Sequence, residues 1–470
     1  MYGIVSCIKH RPNLDFYYVT ADDGKGGLFT IELESPLKIE LGEMTDAEGA
    51  TAEPANGKHA RLRRKLIEKA IERKVESALK KTPPASGVNE LDKLNRKMWP
   101  EITKGASLLL KKFLAGAPIV VRFHNDADGS SGAYSIYKGL KDFSEGNGRI
   151  EKRINLFWIM NRGVIYGKEE ANYDIMLVNA YESLEKPLMI LIDFGTSEKS
   201  NEGIKSIGRY FDILWLDHHP VPGDFEGKSL EYYINPWMFG GNSDYTAGLL
   251  SSVLVKSFSN ADTTIFKDAS LIGDYSKHAN LYKEAQDLSA LLDLITSDAS
   301  FVHSGRNGNL TPYEIEQLLQ DKARSSELAM YANVRVAEAA DEAIPLLREN
   351  NAGGHSIYTL DYGNVKEKQS RYPLLGRFSS KLLEKLEKEN GKGCVVVCHV
   401  GNFISIRASR DIGEAAGLVQ LAGTLLERYG SRIDSAGGHR NAVGIKLSGE
   451  SGKNEVLRQI VAIIRKNLAE

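Results

Sequence analysis

Short apolar runs that stop abruptly in acid or histidine recur through the middle of this chain. Residues 117–129 read APIVVRFHNDADG, PLMILI (187–192) runs into Asp193-Phe194-Gly195, and ILWL (213–216) runs into Asp217-His218-His219-Pro220. Unbroken runs this short predict strands buried on both faces, as in a parallel sheet. Between and after them, Ser130 to Leu140, Gly203 to Tyr210, Ser243 to Ser257 and Lys283 to Thr296 read as helices, and Asp174 to Val178 as a weak strand. The alternation implies an α/β architecture with helices on both faces of a mostly parallel sheet. Thr311 to Arg348 is a long helical stretch. Near Gly353 a second α/β region begins: SIYTLDY, a helix over Pro373 to Glu389, the strands GCVVVCHV and FISIRAS, a helix around Glu414 to Tyr429, AGGHRNAVGIKL and a terminal helix.

Ahead of the first run the pattern differs. The β-like pieces YGIVSCI, FYYVTA and GLFTIEL, separated by turn formers, predict a small β module, and Glu40 to Gly57 reads as an acidic exposed linker. From Lys58 to Lys81 ten Lys and Arg face three Glu, with Leu62, Leu66, Ala70, Val75 and Leu79 at near-helical spacing. This is a basic amphipathic helix, equally suited to packing on a neighbour and to touching a nucleic-acid backbone. Pro83-Pro84 ends it, and a helix from Asn89 to Leu114 leads into the 117–129 run.

Composition narrows the class. A chain of 470 residues exceeds one ordinary core, and 42% hydrophobic with 26% charged residues is that of a globular protein. The net charge of −2 leaves no global field for a polyanion, so any nucleic-acid surface is a local patch. Of the three cysteines, Cys394 and Cys398 fall on one face of CVVVC and read as core, and none has zinc-finger spacing. No apolar segment approaches the length of a membrane span and the first residues lack a signal-peptide h-region, so the expectation is a cytoplasmic protein with no membrane partner.

A single Asp at a strand end is usually a turn or helix-cap residue. Here Asp126, Asp128, Asp193 and the Asp217-His218-His219 cluster all follow apolar strands, and Asp274 follows the small apolar run of SLIGDYS. Strand ends of a parallel sheet face one crevice, where Asp126, Asp128, Asp193, His218 and Asp274 can converge. Carboxylate oxygens with one or two imidazoles suit Mn²⁺ or Mg²⁺ rather than a thiolate-rich zinc site, and the carboxylates suffice to bridge two ions. Two such ions activate water and steady the leaving oxygen in phosphoester hydrolysis.

HNDADG, LIDFG, WLDHHP and IGDYS resemble, in order and in strand context, the four successive motifs of the DHH phosphoesterase superfamily. ISIRAS followed by SAGGHRNAVG is similar to the DHH-associated substrate-binding domain of its RecJ-like branch, and the leader is similar to those of archaeal RecJ-like proteins. The resemblance covers residues from about 117 to 470. It implies metal-ligand roles for Asp126, Asp128, Asp193, His218 and Asp274, with Asp193 bridging, and leaves His124 as either a ligand or a neighbour of the metals. Asp217 is implied to orient His218, and His219 to contact the scissile phosphate or assist proton transfer, with metal ligation as its other reading. Arg407, Gly437, Gly438 and His439 are implied to hold a substrate phosphate, with AGGH here where many relatives have GGGH. Asn235-Pro236 and NSDYTAG (242–248) resemble a family segment near the site but read equally as a turn and a helix start, and the other GGH (353–355) reads as a loop.

The expected organisation is a β module and acidic linker (1–57), a basic helical region (58–115), a parallel-sheet DHH catalytic domain (116–310), a helical hinge (311–352) and a smaller α/β DHH-associated domain (353–470). The expected activity is that of a metal-dependent exonuclease on single-stranded DNA or RNA, hydrolysing between the two domains, with replication or repair proteins as further partners. A phosphodiesterase or phosphatase for oligoribonucleotides, a bisphosphate nucleotide or a cyclic dinucleotide would use the same metals. A non-catalytic replication scaffold would have no need of the full ligand set.

Overall fold

The computed structural model describes the chain apart from residues 1, 12–13, 22–39, 47–50, 145–154, 162, 197, 222–224, 226, 228–229, 303–309, 366–371 and 392. It divides into two compact units, Met1–Leu281 with Asn309–Glu316 and Tyr282–Gly308 with Gln317–Glu470.

The first unit opens with the expected hairpin, β1 (Tyr2–Arg11) against β2 (Leu14–Ala21). The expected strand GLFTIEL lies outside the described residues. The stretch whose composition suggests a linker contributes two short strands, β3 (Met44–Asp46) paired with β1 and β4 (Thr51–Glu53) paired with β3. Pairing needs only backbone groups, so polar composition does not forbid it. Helices α1 (Lys58–Ala78) and α2 (Asn89–Leu114) fall where the periodicity placed them.

The chain then builds the central sheet: β5 (Ile119–His124), α3 (Ala127–Phe143), β6 (Leu156–Asn161), α4 (Lys168–Val178), β7 (Tyr181–Ser183), β8 (Leu188–Ile192), α5 (Glu198–Ile207), β9 (Asp212–Leu216) and β10 (Tyr233–Ile234). Asp174 to Val178 therefore belongs to a helix rather than a weak strand. Glu169 and Glu170 in its first turn, with Gly167 N–H on the Glu170 carboxylate at 3.0 Å, favour helix start over extension. The strand that pairs β5 on that side is β6, an apolar run bracketed by Asn155 and Asn161.

The sheet order is β10-β9-β8-β5-β6, every pair parallel. The chain steps from β5 to β6 in one direction and then crosses to β8 on the other side, so the topological switch point lies between β5 and β8, where such sheets form their ligand crevice. Val120, Met189, Leu191, Ile213 and Trp215 face a core shared with α4 and α5. α3 packs with α6 (Ala247–Lys256) and α7 (Thr264–Gly273).

The leader meets this body at the opposite, amino-terminal edge of the strands. β1 pairs β7, just ahead of β8. Lys80, beyond the end of α1, donates its N–H to Ser257 O at 2.8 Å at the far end of α6, and Lys74 lies 5.7 Å over the Phe143 ring at the far end of α3.

The second unit contains α8 (Lys283–Ser297), the end of one helix that begins in the first unit, further helices and a mixed sheet. Its elements are α9 (Pro312–Gln320), whose first turn belongs to the first unit, α10 (Lys322–Ala343), β11 (Arg348–Ala352), β12 (His355–Asp361), α11 (Leu375–Asn390), β13 (Cys394–Val400), β14 (Phe403–Ala408), α12 (Leu418–Tyr429), β15 (Ile433–His439), β16 (Ala442–Leu447) and α13 (Lys453–Ala469). The order is β11-β12-β13-β14-β16-β15, with α10 and α11 over one face and α12 and α13 over the other. Cys394 and Cys398 are buried in the first of these faces, and Gly353-Gly354 forms the tight turn between β11 and β12. Among the described residues no helix is long and apolar enough to cross a membrane.

Candidate metal centre

Strand register alone places the site. Phe123 pairs Ile192, Ile192 pairs Leu216, and Leu216 pairs Ile234. The next residues, His124, Asp193, Asp217 and Asn235, therefore form one row along the carboxyl edge of the sheet. Above this row, Asp126 caps α3 with one oxygen, accepting Gly129 N–H at 2.9 Å, and turns the other to His124 Nδ1 at 2.8 Å. The turn is tight enough that a Cβ on Gly129 would lie 2.4 Å from His124 O, so the glycine of DADG is sterically required. Cap and ligand, the two readings of this aspartate, are served by different oxygens of one carboxylate.

Asp193 stands at the centre. Its Oδ2 is 3.2 Å from His124 Nδ1 and its Oδ1 is 3.2 Å from His218 Nε2. It sits at φ +62°, a left-handed conformation that costs a non-glycine residue free energy and clusters at functional positions. Three groups of potential ligand atoms result, His124-Asp126-Asp193, Asp128-His218-Asp274 and Asp193-His218-His219, each with its atoms within 4.8 Å of one another. The structure thus brings together every residue expected as a ligand, and puts His124 inside the first group. Asp274 arrives from the C-cap of α7, a helix, rather than from a strand end.

His218 shows how strongly the cluster draws positive charge. Its Nδ1 is 3.0 Å from Ser243 O, a carbonyl that only accepts, so Nδ1 carries the hydrogen. Nε2 then faces Asp193 at 3.2 Å, Asp274 at 3.3 Å and Asp128 at 3.5 Å. One nitrogen facing three carboxylates is repulsive unless positive charge lies among them. The titration behaviour has the same origin. Burial, then the Asp193 charge, pushes the Asp128 carboxyl up to about 7, and burial raises Asp274 well above the carboxylate range. Burial opposes the imidazolium form of His218 and His124, yet the surrounding carboxylates outweigh it and raise both. Asp193 is held well below the usual range, its hydrogen bonds to the two histidines overcoming burial. Four carboxylates converging on two imidazoles fit a site for divalent cations with oxygen and nitrogen donors.

The residues behind the ligands were less visible in the sequence. Asp217 is fully buried and directs its Oδ1 to His219 Nδ1 at 2.8 Å, while Asn235 Nδ2 donates to its Oδ2 at 3.2 Å and to His219 O at 2.9 Å. The expectation that Asp217 orients His218 is therefore corrected: Ser243 O fixes His218, and Asp217 fixes its neighbour. Asp128 accepts from Ala247 N–H at 2.9 Å and Gly248 N–H at 2.7 Å, the first amides of α6. Asn235-Pro236 and NSDYTAG, readable as a turn and a helix start, are both of these things and also the braces of the site. A further network was missed. Arg122 forks onto Asp174 at 2.9 and 2.7 Å and reaches Asn161 at 2.8 Å, and Tyr166 O–H donates to Asp174 at 3.0 Å. The signal was a lone arginine in an apolar strand.

In the second unit, Arg407 pairs Ala442 and Ala442 pairs His439, so Arg407 and the end of the Gly437-Gly438-His439 segment share one row across three strands. Arg407 Nε donates to Ser380 Oγ at 2.9 Å. Gly438 has φ +153°, a conformation open to glycine, and a Cβ there would lie 2.1 Å from Ala442 O. The His439 side chain lies outside the described residues.

No family model matches the chain. Among curated proteins, an uncharacterized protein of Methanocaldococcus jannaschii is 26% identical over 259 residues, 51% of this chain and 32% of that protein, so the match spans about a third of the relative's length. Among solved structures, the DHH domain of a protein described as a member of a family of ribosomal proteins superposes with a TM-score of 0.71, covering 87% of this chain and 99% of that one at 20% identity. This chain has the DHH-domain fold. RecJ from Thermus thermophilus, solved with Mn²⁺, gives a TM-score of 0.46 at 14% identity, over 85% of this chain and 61% of RecJ. The parallel sheet carrying the DHH cluster and the second α/β unit are thus the architecture that the motifs led one to expect.

Proposed function

We propose that this chain is a metal-dependent phosphodiester hydrolase that releases mononucleotides from an end of single-stranded DNA or RNA. The observation that carries the reading is Asp193, with one carboxylate oxygen turned to each of two ligand groups. His124, Asp126 and Asp193 would hold one ion, Asp128, Asp193, His218 and Asp274 the other, and the donor set favours Mn²⁺ or Mg²⁺. Bound there, the ions supply Lewis-acid polarisation of a phosphoryl oxygen and a nucleophile derived from water.

The protein's own contribution comes from its hydrogen bonds. The Nδ1–H of His219 is held by Asp217, which leaves Nε2 as the atom that exchanges a proton with the substrate or contacts its phosphate. That bond occupies the His219 nitrogen nearest Asp193, 3.8 Å away, and so favours proton handling over metal ligation. Asp217 acts as a positioning residue through His219. Arg407 and the amides around Gly437 and Gly438 would grip a substrate phosphate, the guanidinium forking onto two oxygens.

Digestion of DNA and RNA strands labelled at either end, with and without Mn²⁺, tests the proposal. Mononucleotide release that requires the metal is expected. Its absence with every strand would favour the scaffold reading. One observation favours a second substrate class: the β module and α1 lie at the amino-terminal edge of the central sheet, not beside the ligands, so they do not extend a track at the metal centre. A small-substrate phosphodiesterase needs no such track. Comparing dinucleotide with twenty-nucleotide substrates separates the two, since only the exonuclease gains from length.

A further inference from the structure

Two large aromatic rings stand partly exposed beside the second ligand group, Tyr275 directly after Asp274 and Trp237 bonded to the carbonyl of His218. Trp237 is 38% exposed and Tyr275 is 43% exposed.

Trp237 lies in a single 3₁₀ turn, Pro236–Phe239, capped by Asn235, whose Oδ1 accepts Trp237 N–H at 3.0 Å. The Nδ2 of the same Asn235 braces Asp217 and His219. The indole N–H donates to His218 O at 3.0 Å and to Ser243 Oγ at 3.1 Å. The ring's polar atom is thus tied to the backbone of a ligand residue while its apolar body faces solvent. Lys97 of α2 steadies the turn from outside, donating to Phe239 O at 3.2 Å. An aromatic with its only donor fixed has little rotamer freedom left to lose on binding.

Tyr275 comes directly after Asp274 and has φ +53°. Ser276 N–H bonds Leu271 O at 2.9 Å and Tyr275 N–H bonds Ile272 O at 3.2 Å, the Schellman arrangement that ends α7. Its left-handed position is ordinarily glycine, and a bulky residue there is strained. The next two residues hold the strain in place: Ser276 Oγ donates to Asp244 O at 2.7 Å and Lys277 N–H to Asp244 Oδ1 at 2.9 Å, one residue from the Ser243 that orients His218. Tyr275 is thus held beside Asp274 while remaining 43% exposed.

We propose that Trp237 and Tyr275 form a nucleobase-binding surface of the metal centre, on which the base of a substrate's terminal nucleotide stacks. The inference rests on the nucleotide-hydrolase reading above and names what that site recognises besides phosphate. Stacking accepts every base because every base has a π-face, so the surface discriminates nucleotides from base-free phosphoesters rather than one sequence from another.

The test is calorimetric titration of the Mn²⁺-loaded 470-residue chain with AMP and with ribose 5-phosphate, which share the phosphate and sugar and differ in the base. AMP is expected to bind about ten-fold tighter or more. Trp237→Ala and Tyr275→Gly should each lower AMP affinity more than ribose 5-phosphate affinity and so erase most of that advantage, whereas Trp237→Phe, which loses the same indole N–H bonds as Trp237→Ala but keeps a ring, should retain much of it. Tyr275→Gly also relieves the left-handed strain, so its thermal midpoint should not fall and its effect on AMP cannot be laid to misfolding. Equal affinity for the two ligands in the unaltered protein, or equal losses on both in the variants, would overturn the proposal. Dinucleotide hydrolysis in the same preparations keeps the two claims apart. No hydrolysis with the AMP preference intact sinks the hydrolase reading alone, and hydrolysis without a preference sinks the stacking surface alone.

Discussion

The two sheets of this protein place their polar residues in different ways. In the first unit's parallel sheet the strands are apolar nearly to their ends, Arg122 excepted, and His124, Asp193, Asp217 and Asn235 line up in the row that closes them. In the second unit's mixed sheet, Arg407 and Gly437-Gly438 sit inside strands, brought together by the register of β14, β16 and β15. Strand ends are leaving the ladder and can turn side chains toward a common point, so they concentrate charge. Positions within strands are fixed by pairing and offer at most a flat row of donors. The first arrangement suits gathering cations, the second gripping an extended anion.

The sharpest way to break this contrast is to remove the residue on which both ligand groups depend. Asp193→Asn keeps the size and tolerates the left-handed backbone, but loses the charge shared between His124 and His218. Metal-dependent hydrolysis should fall by about a thousand-fold or more, with less metal retained per chain by elemental analysis. A variant with near-normal metal content and rate would deny Asp193 its bridging place.

Next in size is a structural effect. Asp174 has no solvent exposure; burial raises its carboxyl above the usual range and Arg122 only partly offsets this. Asp174→Ala leaves the Arg122 charge buried without its partner and should cost about 3–5 kcal/mol of stability, read from denaturant unfolding. A loss under about 1 kcal/mol would mean that water or Asn161 already satisfies the guanidinium.

Asp217→Asn should act more narrowly. It keeps the size and one oxygen to accept from His219 but withdraws the charge and sets an amide N–H2 against the Asn235 donor, so kcat should drop by about a hundred-fold with metal content unchanged. Loss of metal along with rate would show that Asp217 supports the ligands after all, as the family resemblance first implied.

How far the sequence could be read depends on the same contrast. Chemistry at strand ends was legible because an apolar run followed by Asp announces itself without knowledge of register, and Asp126, Asp128, Asp193 and His218 were found that way. Asp274 was found in the same way, after the small apolar run of SLIGDYS, but its helical setting was hidden because that run is too short to separate strand from helix. Asp174 went unread because α4 ends in IMLV, which looks extended in isolation. Ser243, Ala247 and Gly248 could not be found by side-chain chemistry, since they act through a carbonyl and two amides that every residue possesses.

Arg407 tests the other half of the comparison and should give the smallest effect. Its guanidinium already rests on Ser380 and the Ile406 carbonyl, so it is held in place rather than recruited by a ligand. If it only grips phosphate, Arg407→Ala should raise KM by about ten-fold or more, the worth of a charge-assisted hydrogen bond, while kcat and metal content stay near normal. Arg407→Lys should recover part of the loss, because a point charge attracts phosphate but cannot fork onto two oxygens. A fall in kcat with KM unchanged would place Arg407 against the reacting phosphoryl group instead. The row of β14, β16 and β15 would then belong to the reaction chemistry, and the division of labour between the two sheets would not hold.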